Sequence, residues 1–161
     1  MSLSLYFLRH GQAGNRTEWH GDDSKRPLTV DGKHRMEREA AAIRKLELSL
    51  DLIITSPLVR AYQTAEIVAR ALGAPTKLIT DDRVGLGFDP EQLAAIVAEH
   101  RKAKKVMLVG HEPDFGETIS QLTGGGRLTM KKGALAYVEI ADLASLEGVL
   151  VWLIPPKALA L

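Results

Sequence analysis

Apolar and polar positions along the chain fall into two alternating rhythms. Leu3 to Leu8 is a short apolar run of strand formers that stops at Arg9, His10 and Gly11. Residues 12 to 28 are polar and turn-rich and predict an irregular excursion. The period then lengthens: Met36, Ala40, Ile43 and Leu46 fall on one face of a helix expected from Thr29 to about Glu47. Leu52 to Thr55 reads as a short buried strand. Ser56 and Pro57 then carry the signals of an N-cap and a first helical position, and Gly73 stands where a C′ residue would end that helix.

The second half repeats the pattern. Lys77 to Thr80 suggests a strand, and Pro90 to about His100 a helix. Val106 to Val109 suggests another strand, followed by a glycine turn and a helix from about Pro113. Ala134 to Ile140 and Val149 to Ile154 read as an antiparallel hairpin added to the sheet. Strands alternating with helices predict an α/β fold, here a three-layer α/β/α sandwich with a mostly parallel central sheet. The 161 residues are the length of one domain, and no repeat, low-complexity tract or linker divides them.

Composition narrows the chemistry. A formal net charge of +1 gives no global reason to expect nucleic acid or an anionic membrane as partner, so any basic site must be local. The chain has 0 cysteines, which excludes disulfides, thiolate metal sites and cysteine nucleophiles. No apolar stretch reaches the ~18 residues of a membrane span, and no basic segment leads into a signal-like stretch. These features fit a cytoplasmic protein. "HEPDF" is not the HExxH of a zinc protease and the other histidines lack ligand-like spacing, so no metal or other cofactor is expected. Gly124 to Gly126 lacks the Lys-Ser/Thr of a phosphate loop and reads as a turn. The tail after Pro155 and Pro156 is apolar and could cover the body or meet a neighbour.

Three polar groups follow three predicted strands. Arg9 and His10 follow the first, Arg60 lies in the opening turn of the helix after the second, and His111 follows Gly110. Ligands of open α/β sheets bind beyond the carboxyl ends of the strands. The helix after Thr55 would also point its positive end there. Guanidinium forks, imidazoles and free N–H groups at one edge suit a small, highly charged anion, and phosphate matches them best.

The same residues carry a resemblance. "LRHGQAG" resembles the RHG signature of the histidine phosphatase superfamily, whose fold is called phosphoglycerate mutase-like. "RPLTVDGKHRMEREA", "TSPLVRAYQTAEIVA" and "VMLVGHEPDF" resemble its following blocks, in order, from about residue 4 to residue 120. The short chain, "RPLT" and "GHEP" look most like the SixA-like phosphohistidine phosphatases. The resemblance implies that His10 is a nucleophile forming a covalent phosphohistidine. Arg9 and Arg60 would hold the nonbridging oxygens, and His111 would be a further phosphate donor, best when protonated. Gly11 would let the backbone approach and fix the tautomer of His10. Arg26 is a candidate for reaching the phosphate or bracing the loop. His20, His34 and His100 have no motif around them and are expected at the surface.

The sequence departs from the family where many members carry a proton-donating glutamate. Here the stretch reads "DDRVGLG", with Gly85 at that place, and Asp81, Asp82 and Glu112 are the nearest carboxylates. Glu112 is read first as a helix cap and second, with Asp82, as a candidate proton donor. An alkoxide is roughly as basic as hydroxide (conjugate acid ~15.7) and needs such a donor. An imidazole (~6.5) does not. The expected partner is therefore a phosphohistidine-bearing protein of phosphorelay or phosphotransferase type. The alternatives are a small-molecule phosphomonoesterase acting on a sugar phosphate or nucleotide, and a non-catalytic phosphate-binding module.

Overall fold

Alternation along the first strand sets the layers. In the computed structural model, which describes residues 2–160, β1 spans Leu3–Arg9. Leu3, Leu5 and Phe7 enter one core while Tyr6 and Leu8 enter the other. The next elements are α1 (Val30–Lys45), β2 (Leu52–Thr55), α2 (Val59–Ala71), β3 (Leu78–Thr80) and α3 (Pro90–Glu99). Then come β4 (Lys105–Gly110), α4 (Asp114–Leu122), β5 (Leu135–Asp142), β6 (Glu147–Ile154) and α5 (Pro156–Leu159). The sheet has six strands in the order β3-β2-β4-β1-β5-β6. β1 to β4 run parallel; β5 joins β1 and β6 joins β5 antiparallel.

Each sheet face is covered because both are apolar. On one side Met36, Ala40 and Ile43 of α1 and Ala61, Ala65 and Val68 of α2 pack over Leu8, Ile53, Met107 and Val109. On the other side Leu93 and Ile96 of α3 and Phe115 and Ile119 of α4 pack over Phe7, Ile54, Val106 and Leu108. Phe115 makes edge contacts with Phe7 and Phe88 at ring distances of 5.2 and 5.5 Å. Burying such a ring contributes about 1.5–3 kcal/mol. This is the expected α/β/α sandwich with its antiparallel hairpin.

Local details differ from the sequence reading. α1 ends at Lys45, and Leu46, expected on the buried face, is its C-cap and is 39% exposed. Ser56 is not the N-cap of α2: Leu58 holds that place in extended conformation and makes no side-chain cap bond. Lys77 belongs to a short 3-10 turn, Pro75–Lys77, rather than to β3. Gly73 does take positive φ (+68°) just after the C-cap of α2, as a C′ residue should. The apolar tail turns back on the body, and Leu159 is buried with α1 and α2 residues. Gly124 to Gly126 all take positive φ in a turn after α4. His20 and His34 are exposed, and His100 is half-buried at the end of α3.

Candidate active site

Register brings the polar groups together. Arg9 pairs with Gly110 across β1 and β4, and Thr55 pairs with Val109 across β2 and β4. Three parallel strands therefore end level, and the residues that follow, His10, Ser56 and His111, emerge side by side. Backbone bonds hold the ends closed: His10 N–H donates to Gly110 O at 3.0 Å, and Ser56 N–H to Val109 O at 2.9 Å. The rings of His10 and His111 lie 5.3 Å apart.

His10 is fixed from behind. Its Nδ1–H donates to the carbonyl of Gly11 at 2.7 Å, because a carbonyl can only accept. Nε2 is then the nitrogen with the free lone pair. Gly11 itself is pinned: its N–H donates to Thr64 Oγ1 at 3.0 Å, and Thr64 donates to Arg60 O at 2.8 Å. A Cβ at Gly11 would lie 2.6 Å from Met36 Cγ, so no larger residue fits this turn without displacing the Met36 side chain.

The cations are held by an acid the sequence reading did not single out. Arg60, buried at 2% exposure, donates from Nη1 to Asp23 O (2.9 Å) and pairs Nη2 with Asp23 Oδ2 (3.1 Å). Arg26 Nε donates to the other carboxylate oxygen of Asp23 at 3.0 Å, and its Nη1 donates to Gly14 O. Arg26 thus lines the cleft, and two of its five N–H donors brace the loop. Asp23 is held below the usual carboxylate range, chiefly by the hydrogen bond from Arg26. Arg9 Nη1 donates to Met130 O at 2.9 Å. His111 Nε2 lies 2.7 Å from Ser56 Oγ, which also accepts Leu58 N–H at 3.1 Å. Arg9 Nε, Arg60 Nε and His111 Nδ1 are buried without a hydrogen-bond partner among the described residues. Such groups cost about 1–3 kcal/mol each unless something accepts from them.

Both histidines are neutral in this setting. Burial, reinforced by His111, Arg60 and Arg9, pushes His10 down to about 3, against the opposing bond to Gly11. Burial, then Arg60 and Arg9, pushes His111 down to about 4. The expectation of a protonated His111 therefore does not describe the free protein.

The cleft has a volume of about 510 Å³ and is lined by Arg9, His10, Arg60 and His111, with Arg26, Glu112 and others around them. Glu112 is a brace: Oε1 accepts Gly116 N–H at 2.5 Å and Oε2 accepts Met130 N–H at 3.2 Å. Pro113 takes the formal N-cap position, and the Glu112 carboxylate caps α4 from one residue earlier. Asp82 is exposed and does not line the cleft, and Asp81 pairs with Arg83. Buried Gly85 abuts Pro57 and Leu58, and no side chain stands there. Among the described residues no group of three or more His, Cys, Asp or Glu could hold a metal ion, and no helix is long and apolar enough to cross a membrane.

Comparison with known proteins gives the family and the fold. A family model described as "Histidine phosphatase superfamily (branch 1)" matches residues 5–85. The chain belongs to the histidine phosphatase superfamily. Within this superfamily it is 37% identical over 142 residues to an uncharacterized protein of Picosynechococcus sp., covering 83% of this chain and 82% of that one. It is 25% identical over 159 residues to phosphohistidine phosphatase SixA of Escherichia coli, covering 96% and 94%. The structure of the protein histidine phosphatase SixA complexed with tungstate superimposes with a TM-score of 0.84 at 24% identity, covering 96% of this chain and 98% of that one. The chain thus shares the phosphoglycerate mutase-like fold of this superfamily of phosphatases.

Proposed function

We infer that the protein is a phosphatase whose nucleophile is His10 Nε2 and whose substrate is phosphohistidine carried by a protein. The observation that carries the reading is the bond from His10 Nδ1–H to Gly11 O, which leaves Nε2 deprotonated on a residue that lines the cleft with Arg9 and Arg60. In the first step Nε2 forms a bond to phosphorus while the bond to the leaving nitrogen breaks, and the substrate ring, protonated on its other nitrogen, takes the electron pair and leaves as neutral imidazole. Arg9 and Arg60 hold the nonbridging oxygens and offset the spreading charge. Water then attacks the phosphohistidine of residue 10, and the N–P electron pair returns to Nε2. Both water protons stay with the phosphate, which leaves as dihydrogen phosphate, and His10 returns to neutral with its proton on Nδ1.

Ser56 decides what a neutral His111 can offer. With its hydroxyl hydrogen donated to Nε2 and a lone pair accepting Leu58 N–H, the His111 proton sits on Nδ1. Neutral His111 is then already a donor for a phosphate oxygen. Approach of the dianion raises its proton affinity further. We read residues 1–161 as one histidine phosphatase domain, since both cores share a single sheet.

The choice of phosphohistidine over an ester rests on the leaving group. Both oxygens of Glu112 accept backbone N–H groups, Asp82 lies outside the cleft, and Gly85 offers no side chain. Expulsion of imidazole does not need the acid they fail to supply. The full-length relationship to SixA supports the same reading. The test is a panel of phosphohistidine proteins and small phosphate esters, with His10→Ala as control. We expect kcat/KM for a phosphohistidine protein to exceed that for sugar phosphates by about 100-fold or more. The reverse preference overturns the assignment. Glu112→Gln should leave turnover within about twofold and lower stability by about 1 kcal/mol. A steep, selective loss of ester hydrolysis would instead make Glu112 the acid of a small-molecule phosphatase.

A further inference from the structure

The cleft holds more positive charge than one phosphoryl group needs, and the excess is unpaired. Arg9, Arg16, Arg26, Arg60 and Lys132 all line it, in a chain whose formal net charge is only +1. Nearby carboxylates are already engaged: Asp23 is shared by Arg26 and Arg60, and Glu112 caps α4 while its field favours the charge on Arg9. Arg16 and Lys132 make no ion pair and donate no side-chain hydrogen bond among the described residues. They are nevertheless near enough to the others to matter. Burial, then Arg9, Arg26 and Arg60, lowers the pKa of Lys132, and Arg16 contributes to lowering that of Arg60. Lys132 is also well placed, because its neighbours are tied to the site. Gly133 N–H donates to the carbonyls of Arg9 and His10 (3.1 Å each), and Met130 O accepts from Arg9. At about 510 Å³ the cleft is the size of a small-molecule site and leaves room beside a phosphoryl group.

We propose that Arg16 and Lys132 form a second anion subsite, and that the preferred substrate carries a further acidic group beside the phosphoryl group that is removed. The inference rests on reading the cleft as a phosphoryl site, but not on the identity of the nucleophile. Repulsion among like charges in a confined cleft is relieved most by a ligand that meets both ends of the cluster. Two sources offer that chemistry: an acidic side chain flanking a phosphohistidine, or a second phosphate on a small molecule.

Calorimetry with the full chain at low salt tests the subsite without turnover. The probes are methylphosphonate, with one anionic group, and methylenediphosphonate, with two and no hydrolysable bond. The intact protein should bind the bisphosphonate about tenfold or more tighter than the monophosphonate. Arg16→Gln combined with Lys132→Gln should reduce that preference to about threefold or less while weakening monophosphonate binding by no more than about threefold. Arg101→Gln with Lys102→Gln removes the same net charge from exposed positions outside the cleft and should leave the preference intact. A preference that survives the first pair, or falls equally with the second, overturns the subsite. Turnover of an acid-flanked phosphohistidine peptide and of a sugar bisphosphate by the first pair then separates the sources. A selective fall in kcat/KM for one names it, and a fall in neither contradicts the proposal. A His10→Ala protein that kept its activity would overturn the nucleophile assignment while leaving these binding results standing.

Discussion

His10 and His111 end neighbouring parallel strands, both are buried, and both are neutral at pH 7, yet they are held in opposite senses. A carbonyl faces Nδ1 of His10, so that nitrogen must carry the proton and Nε2 keeps a lone pair. A hydroxyl faces Nε2 of His111, so that nitrogen can accept, and Nδ1 can keep the proton. On the proposed reading, the same side chain at the same level of the sheet serves as nucleophile in one place and donor in the other. The difference lies in one neighbouring oxygen, and pKa alone would not reveal it.

The largest effect expected from breaking this pair is at His10. His10→Ala should lose ~10⁴-fold or more in turnover and form no phosphoenzyme, measured by rapid-quench labelling. His111→Ala should lose ~10²–10³-fold while still forming the phosphoenzyme slowly, since it removes one donor and not the attacking atom. Equal losses would erase the distinction between the two rings. Ser56→Ala should cost about 10–100-fold and shift the pH profile of kcat, because His111 is then free to take the other tautomer. Ser56→Thr, which keeps the hydroxyl, should recover much of it.

Stability against pH sharpens the comparison further. An unfolded imidazole binds its proton below its ordinary 6.5, whereas the folded protein withholds protonation to about 3 at His10 and about 4 at His111. The unfolded state therefore binds more protons in that window, and stability falls as pH drops through it. Glu39 does the opposite. It is buried in α1, with Oε2 unpartnered against Gly133, and burial raises its pKa from 4.5 to about 8. Between those values the folded state holds the extra proton, so stability falls as pH rises, by at most about 1.4 kcal/mol per pH unit. Urea midpoints should therefore decline on both sides of the mildly acidic range. Glu39→Gln should flatten the decline between pH 6.5 and 8 and steepen the fall from pH 6.5 down to 4.5, where Glu39 opposes the two histidines. An unaltered alkaline decline would remove Glu39 from this account.

The elements closest to the cleft were the most legible in the sequence. β2 was read with its observed bounds, and the ends of β1 and β4 within one residue, because buried parallel strands are unbroken apolar runs that stop at polar residues. That placed His10, Arg60 and His111 at one sheet edge before any coordinates. Contacts from the excursion before α1 were not legible. Asp23 joins its near neighbour Arg26 to Arg60, which lies 37 residues further along, and nothing in "GDDSKRP" distinguishes it from Asp22. Ser56 was misread because Ser-Pro before an apolar helix is also a capping signal. Only the register of β2 against β4 shows that its hydroxyl meets His111. Glu39 escaped notice because a glutamate in a helix is ordinarily solvated.

The central claim, that His10 attacks through Nε2 because Gly11 holds Nδ1–H, is tested most directly by the position of phosphorus in the trapped intermediate. Phosphoenzyme trapped by an alkaline denaturing quench, digested at alkaline pH and examined by proton–phosphorus correlation NMR should carry phosphate on Nε2 of residue 10. Phosphate on Nδ1 of that ring, or on any other residue, would contradict it.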